Sequence, residues 1–318
     1  MGLAARSAQS ALLSAATERT WRPIDFSGYD ALVDHLQQLR DLLEADLSYP
    51  GGHDGRGIVV SAGGRLLPGA YVALRSLRRV GCTIPVEIWH LGPAELPRAS
   101  LCTLFERQGV TFVDAHQVAR EHGRTIGGGW QNKPFSILFS HFAEVLLLDA
   151  DNMALQDPSR LFDDEAYLKT GALLWPDFPQ KPTSRFAIKT EIWKLLGLAH
   201  RTGVELESGQ LVFDKRKVWR ALSVALHMNE HSDFWYRYSY GDKDTFTLAF
   251  AVTDTPATVV GKGPVHLQRG VRIHFAPDGR EIFQHCRKWT MPPAANWPML
   301  GYRLEPLCME WMKEYAGA

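Results

Sequence analysis

Cysteine is scarce in this chain: Cys82, Cys102, Cys286 and Cys308 are its four cysteines in 318 residues, and no two form a C-x-x-C pair. That spacing argues against a structural zinc site or a dense disulfide framework, and it fits a reducing compartment. An excess of either charge is also missing, since 35 lysines and arginines balance 35 aspartates and glutamates. Phosphate-backbone binding usually leaves a basic surplus, so no nucleic-acid partner is expected. No apolar run approaches the ~20 residues that span a bilayer, so no transmembrane segment is expected. At the start of the chain, Gln9, Ser10 and Ser14 interrupt any apolar signal-peptide core, and Arg6 breaks the myristoylation pattern. These absences together lead us to expect a cytoplasmic protein without internal repeats or low-complexity tracts.

What is present is a large apolar content, 45% of 318 residues, enough for one substantial core. Between Tyr29 and Leu47, the residues Leu32, Leu36, Leu39, Leu43 and Leu47 recur at spacings of three and four, which predicts a helix with one apolar face. The turn cluster Tyr49-Pro50-Gly51-Gly52 ends it, so residues 1–55 read as an N-terminal helical extension. From residue 56 the pattern alternates. Short apolar strands at Ile58 to Ser61, Val86 to His90, Thr111 to Val113 and Val145 to Leu148 are separated by helical segments near Ala70 to Val80, Pro97 to Gln108 and Lys133 to Phe142. Such alternation predicts an α/β fold around a largely parallel sheet, with Gly171 to Trp175 and Gln210 to Phe213 making the sheet mixed in its second half. That half also holds Trp175, Trp193, Trp219, Trp235, Trp289, Trp297 and Trp311, whose ring faces are candidates to stack on sugar, although large aromatics are commonly core.

The chemistry is expected where the run Val145-Leu146-Leu147-Leu148 ends in Asp149-Ala150-Asp151. In open α/β sheets the ligand crevice lies beyond the carboxyl ends of the strands. Two carboxylates one small residue apart suit a hard cation such as Mg²⁺ or Mn²⁺. Two aspartates at a strand end also commonly cap the next helix or solvate a turn, so the pair gains meaning from its surroundings.

Those surroundings are Gln131-Asn132-Lys133-Pro134-Phe135, then Phe142 to Asn152, Glu207-Ser208-Gly209-Gln210-Leu211-Val212-Phe213-Asp214, Gly241-Asp242-Lys243-Asp244-Thr245-Phe246 and Phe283-Gln284-His285-Cys286-Arg287-Lys288-Trp289. In this order they resemble the α-mannosyltransferase family that includes fungal α-1,3-mannosyltransferases and, more distantly, the glycogenin-like retaining glycosyltransferases. The resemblance implies a GT-A-type, Rossmann-like mixed sheet flanked by helices over residues 56–318. Residues 56–152 would be the nucleotide-binding half and residues 153–318 the acceptor-binding half.

It also implies a reaction, the transfer of a hexose with retention from a nucleotide-diphosphate sugar to a glycan, lipid-linked or protein acceptor. Mannose from GDP-mannose is the first expectation, with UDP-glucose or UDP-galactose as the alternative. Asp149, Asp151 and His285 would hold Mn²⁺ or Mg²⁺. Lys133, Arg287 and Lys288 would meet the diphosphate, and Ser61, Ala62 and Gly63 the nucleoside. Asp242, with Lys243 and Asp244 beside it, would face the reacting sugar, and Gln210 and Glu207 would contact its hydroxyls. Gly127-Gly128-Gly129 reads as a loop able to close over the donor, or as a plain linker.

A rival pattern is His227-Met228-Asn229-Glu230-His231, which matches the H-x-x-E-H of inverted zinc proteases. No third ligand follows it, and a solvated helix end is the favoured reading of these residues. The segment Ala62-Gly63-Gly64-Arg65 lacks the extra glycine and spacing that a sugar nucleotidyltransferase loop needs to cradle a triphosphate.

Overall fold

The computed structural model describes residues 27–181, 183–199, 205–267, 270–287 and 302–318. Strands β1 (Arg56–Ser61), β2 (Val86–His90), β3 (Val110–Asp114) and β4 (Glu144–Leu148) lie parallel. They are followed by β5 (Asn152–Ala154), β6 (Ala172–Pro176), β7 (Leu206–Asp214), β8 (Thr258–Val259), β9 (Val265–His266), β10 (Val271–Phe275) and β11 (Glu281–Cys286). The main sheet has the order β3-β2-β1-β4-β7-β6-β8, with β7 antiparallel to both β4 and β6. A second, antiparallel sheet has the order β5-β11-β10-β9. This is the mixed α/β sheet flanked by helices that the alternation of elements predicts.

Burial on both faces explains why β4 is an unbroken apolar run rather than an alternating one. Val145 and Leu147 join the cluster that includes Phe135, Phe213 and Leu222, whereas Leu146 and Leu148 join the cluster of Tyr71, Leu74 and Phe162. All four are fully buried. Each such leucine stabilises the fold by roughly 1.5–3 kcal/mol, so a charge at Leu147 would disrupt the molecule.

The flanking helices start and stop where local chemistry directs. Leu67–Arg79 carries Pro68 in its first turn, where an amide proton has no intrahelical partner, and Arg78 and Arg79 in its last, beside the free carbonyls. The 16-residue helix Lys215–Glu230 begins at Asp214, whose carboxylate accepts from the Arg216 amide. The N-terminal helix spans Ser27–Glu44 and buries Leu32 and Leu39 in the same cluster as Leu222 and Leu226.

One short connection between the two sheets carries the acidic pair. The chain leaves β4 at Leu148, passes through Asp149-Ala150-Asp151 and enters β5 of the second sheet at Asn152. The acidic pair is therefore the crossover between sheets, with β7 on one side and β11 on the other.

Candidate active site

The crossover is fixed by backbone before any side chain is considered. The Asp149 amide donates to the Gly209 carbonyl of β7 at 2.8 Å, and the Cys286 amide of β11 donates to the Asp151 carbonyl at 2.9 Å. The Asn152 side chain, fully buried, donates to the same Gly209 carbonyl at 3.0 Å and to Gln210 Oε1 at 2.6 Å. Two carboxylates are thereby held at a junction that neither sheet forms alone.

β11 pairs His285 opposite Asn152 and so delivers an imidazole to the acidic pair. His285 Nε2 lies 3.0 Å from Asp151 Oδ1. Asp149, Asp151 and His285 each present a ligand atom, all within 4.8 Å of one another. Gly209 is necessary to this arrangement, because a Cβ there would meet the His285 ring at 2.9 Å. Burial alone would lower the His285 pKa, but the Asp151 and Glu207 carboxylates outweigh it and push it up to about 9. For Asp151, burial works upward and the His285 charge pulls its carboxyl below the usual range.

From the helix Asn132–Phe139, Lys133 supplies the second cation. Its Nζ sits 2.7 Å from Asp149 Oδ1 and 3.5 Å from Asp242 Oδ2, and it donates to the Ser208 carbonyl at 3.2 Å. Burial would discharge this lysine, but Asp149 and Asp242 raise its pKa instead. Asp149 remains pushed up to about 6 by burial, against the pull of Lys133.

A cavity of about 440 Å³ opens above this cluster. Of the residues expected from sequence, Lys133, Asp149, Glu207, Asp242, Lys243 and Arg287 line it. Asp151 and His285 are buried and are not part of its wall. The structure does not bring Gln210 or Asp244 to the cavity wall. Gln210 is fully buried and its Oε1 accepts from Asn152. Asp244, also fully buried, accepts from the Tyr240 amide at 2.6 Å, and burial pushes its pKa up to about 7 despite Lys243. Lys243 spans Asp177 at 3.1 Å and Glu205 at 3.4 Å. Ser61, Ala62 and Gly63 close β1 away from this cavity: the Ala62 amide donates to the Trp89 carbonyl at 3.0 Å, and Gly63 is packed against the Glu95 side chain. Lys288 lies outside the described residues.

Several site residues escape sequence reasoning. Arg272 and His274 stand two apart on β10, facing β11, and Arg272 Nη1 pairs with Glu207 Oε2 at 2.6 Å. Burial acts against the Glu207 charge, but His285 and Arg272 hold its carboxyl down at about 2. His274 is buried with neither ring nitrogen hydrogen-bonded, and burial lowers it to about 3. The alternation Val271-Arg272-Ile273-His274-Phe275 is the period-two signal that marks one polar face. Glu207, His274 and His285 form a second group whose ligand atoms lie within 4.8 Å.

The aromatic expectations change more. Trp175, Trp193, Trp235 and Trp311 are core residues, and Trp219 packs beside the rings of Tyr49 and His53. Trp289 and Trp297 lie outside the described residues. Among the described residues the tryptophan that lines the cavity is Trp130, which follows the glycine turn Gly127-Gly128-Gly129. As for the H-x-x-E-H segment, Glu230 is bound to Arg124 at 2.7 Å, and no metal-competent group among the described residues includes His227 or His231.

Residues 55–196 and 198–265 match the mannosyltransferase family model Mannosyl_trans3. The α-1,2-mannosyltransferase MNN26 of Candida albicans is 27% identical over 263 residues, 71% of this chain and 34% of that protein. The α-1,2-mannosyltransferase MNN2 of Saccharomyces cerevisiae is 27% identical over 259 residues, 68% of this chain and 42% of that protein. The chain thus spans between about a third and a half of the length of these relatives. They are α-1,2 enzymes, which corrects the expected α-1,3 kinship. Among solved structures, mouse xyloside xylosyltransferase 1 is 14% identical, covering 65% of this chain and 84% of that chain, with a TM-score of 0.43. The galactosyltransferase LgtC is 17% identical, covering 61% of this chain and 70% of that chain, with a TM-score of 0.41.

Proposed function

The chain belongs to the mannosyltransferase family, and we propose that it moves mannose from GDP-mannose to a hydroxyl of a glycan, lipid-linked or protein acceptor, forming an α-1,2 bond with retention. The observation that carries this reading is the convergence of Asp149, Asp151 and His285 into one group, with Lys133 bridging Asp149 and Asp242 at the cavity wall. UDP-glucose or UDP-galactose is the alternative donor.

Two carboxylates and one imidazole fit Mn²⁺ or Mg²⁺, a choice favoured by the oxygen-rich donor set. The His285 Nδ1 atom is buried without a hydrogen bond, so nothing on that side competes for the ring's orientation. A bound ion would supply Lewis acidity toward the charge that develops on the departing diphosphate. Lys133, already placed against Asp149, adds positive charge on the same side, and Arg287 adds another from the cavity wall. Asp242 is 4% exposed, and its Oδ2 accepts no hydrogen bond. Asp242 lines the cavity, so its carboxylate is placed to stabilise the oxocarbenium-like charge of the sugar. With the leaving phosphate accepting the acceptor's proton on the same face, no strong general base is required.

The test is a melting-temperature screen of nucleotide sugars with and without Mn²⁺, because a ligand that binds only the native state stabilises it by mass action. One nucleotide class should stabilise in a metal-dependent way, and Asp151→Ala and His285→Ala should each abolish the shift. NMR of the product then reads anomer and linkage. If every nucleotide sugar fails with Mn²⁺ present, or if binding survives both substitutions, the reading is wrong.

A further inference from the structure

We propose that Trp130, Tyr240 and Phe186 form the acceptor subsite, an aromatic wall on which the apolar face of an acceptor pyranose stacks while its hydroxyl is presented beside Asp242. This rests on the transferase reading above.

Exposure sets these rings apart. Trp130 is 46% exposed and Tyr240 37%, whereas Trp89, Trp175, Trp193 and Trp235 are at most 2% exposed. A fold that buries Trp89, Trp175, Trp193 and Trp235 so thoroughly gains nothing in stability by leaving an aromatic cluster at a cavity rim, so the cluster points to a ligand. The rings come from three separate segments and still converge. Trp130 and Tyr240 have centroids 5.5 Å apart, and Phe186 and Tyr240 4.6 Å apart, and all three line the same cavity as Asp242.

The wall is tied to the reacting end through Gly241, which separates Tyr240 from Asp242 by one residue. A Cβ at Gly241 would meet the Trp130 ring at 2.8 Å, so a glycine there is what lets the indole lie against this turn. Arg185 stands at the rim with its guanidinium 4.7 Å from the Phe186 ring centroid, a donor for sugar hydroxyls.

A nucleobase also stacks on aromatics, but the topology favours the acceptor. Phe186 follows β6 and Tyr240 follows β7, both on the far side of β4 from β1 and β2. Lys133, a cation suited to the diphosphate, is buried against Asp149 of the acidic crossover. An uncharged pyranose needs neither; it needs an apolar platform with polar groups at the edge.

Trp130→Ala and Trp130→Phe, compared with wild type in the presence of Mn²⁺, separate the outcomes. Three quantities are read: the affinity for GDP-mannose, its slow hydrolysis to water, and the KM for methyl α-mannoside as acceptor. Trp130→Ala should raise the acceptor KM roughly tenfold or more, with Trp130→Phe between it and wild type, while donor affinity and hydrolysis stay within about twofold. An unchanged acceptor KM overturns the proposal, and so does a parallel loss of donor affinity, which would make the wall a base platform. If no nucleotide sugar binds at all, saturation-transfer NMR with methyl α-mannoside alone still decides it: a signal in wild type that Trp130→Ala abolishes supports the wall, and no signal in wild type refutes it.

Discussion

The strands β1 to β4 and the segments beyond Asp149 both contribute to the core, yet they bury different things. Before the crossover, the buried acidic, basic and histidine side chains among the described residues are Glu87, His90 and Lys133. Beyond it they include Asp151, Glu205, Glu207, Asp242, Asp244, His274 and His285, gathered where the two sheets meet. Burying ionisable groups costs free energy unless partners compensate, so this concentration marks the region where chemistry rather than packing shaped the sequence. Lesions in the first region should therefore act on stability, and lesions in the second on activity.

The largest expected effect is at Asp242. Asp242→Asn keeps the shape but removes the charge facing the sugar, and transfer should fall by about 10² to 10³, the range seen when one preorganised electrostatic group is lost. The melting temperature should move little, because Lys133 keeps Asp149 at 2.7 Å as its partner. A collapse of the melting temperature, with kcat per folded molecule preserved, would reverse the contrast between the two regions.

A second lesion, in β1, should do the opposite. Gly57 pairs with Val145 of β4, and a Cβ there would drive into the Phe142 ring, which is 1% exposed. Gly57→Ala is expected to destabilise by roughly 1–3 kcal/mol through overpacking. Adding Phe142→Leu should recover part of that loss, a coupling that a double-mutant cycle measures. Additive effects would mean that the ring is not the obstacle.

The same contrast explains what was legible in the sequence. The β1, β2 and β4 strands are readable because each is a short apolar run between turns. Boundaries drift by a residue or two, as where the helix expected from Pro97 to Gln108 is Ala99–Glu106. The helix Ala115–Glu121 has no counterpart in the expected elements although its cap is visible, Asp114 accepting from the His116 and Gln117 amides, and of Lys215–Glu230 the end at His227 to His231 is the part expected from sequence. The acidic crossover stood out because a strand ends there. By contrast, Arg272 and His274 reach the site because β10 pairs with β11 and β11 pairs with β5, the latter a contact between strands more than 100 residues apart that no local pattern announces. Trp175, Trp193, Trp235 and Trp311 are core, as large aromatics commonly are, whereas exposure at the cavity is a tertiary property, and Trp130 has it.

The smallest effect separates buried ionisable groups of the site from those that merely pack. His227 lies on the helix Lys215–Glu230, its ring centroid 4.7 Å from that of His231, which is itself 5.2 Å from that of His35 on the N-terminal helix. Burial first, then the charges of His231, His35 and Arg124, lower His227 to about 4. With an unfolded value near 6.5, the unfolded chain binds more protons across that window, so stability rises with pH there. The contribution is fully present above about pH 6.5 and is lost as pH falls toward 4, about 1–2 kcal/mol of it between pH 7 and pH 5. His227→Met should flatten this dependence relative to wild type in denaturant melts, and it should leave transfer at pH 7 unchanged, since His227 touches nothing in the cavity. Identical pH slopes in the two proteins would place the acid sensitivity elsewhere, and a loss of transfer would return the H-x-x-E-H segment to the chemistry.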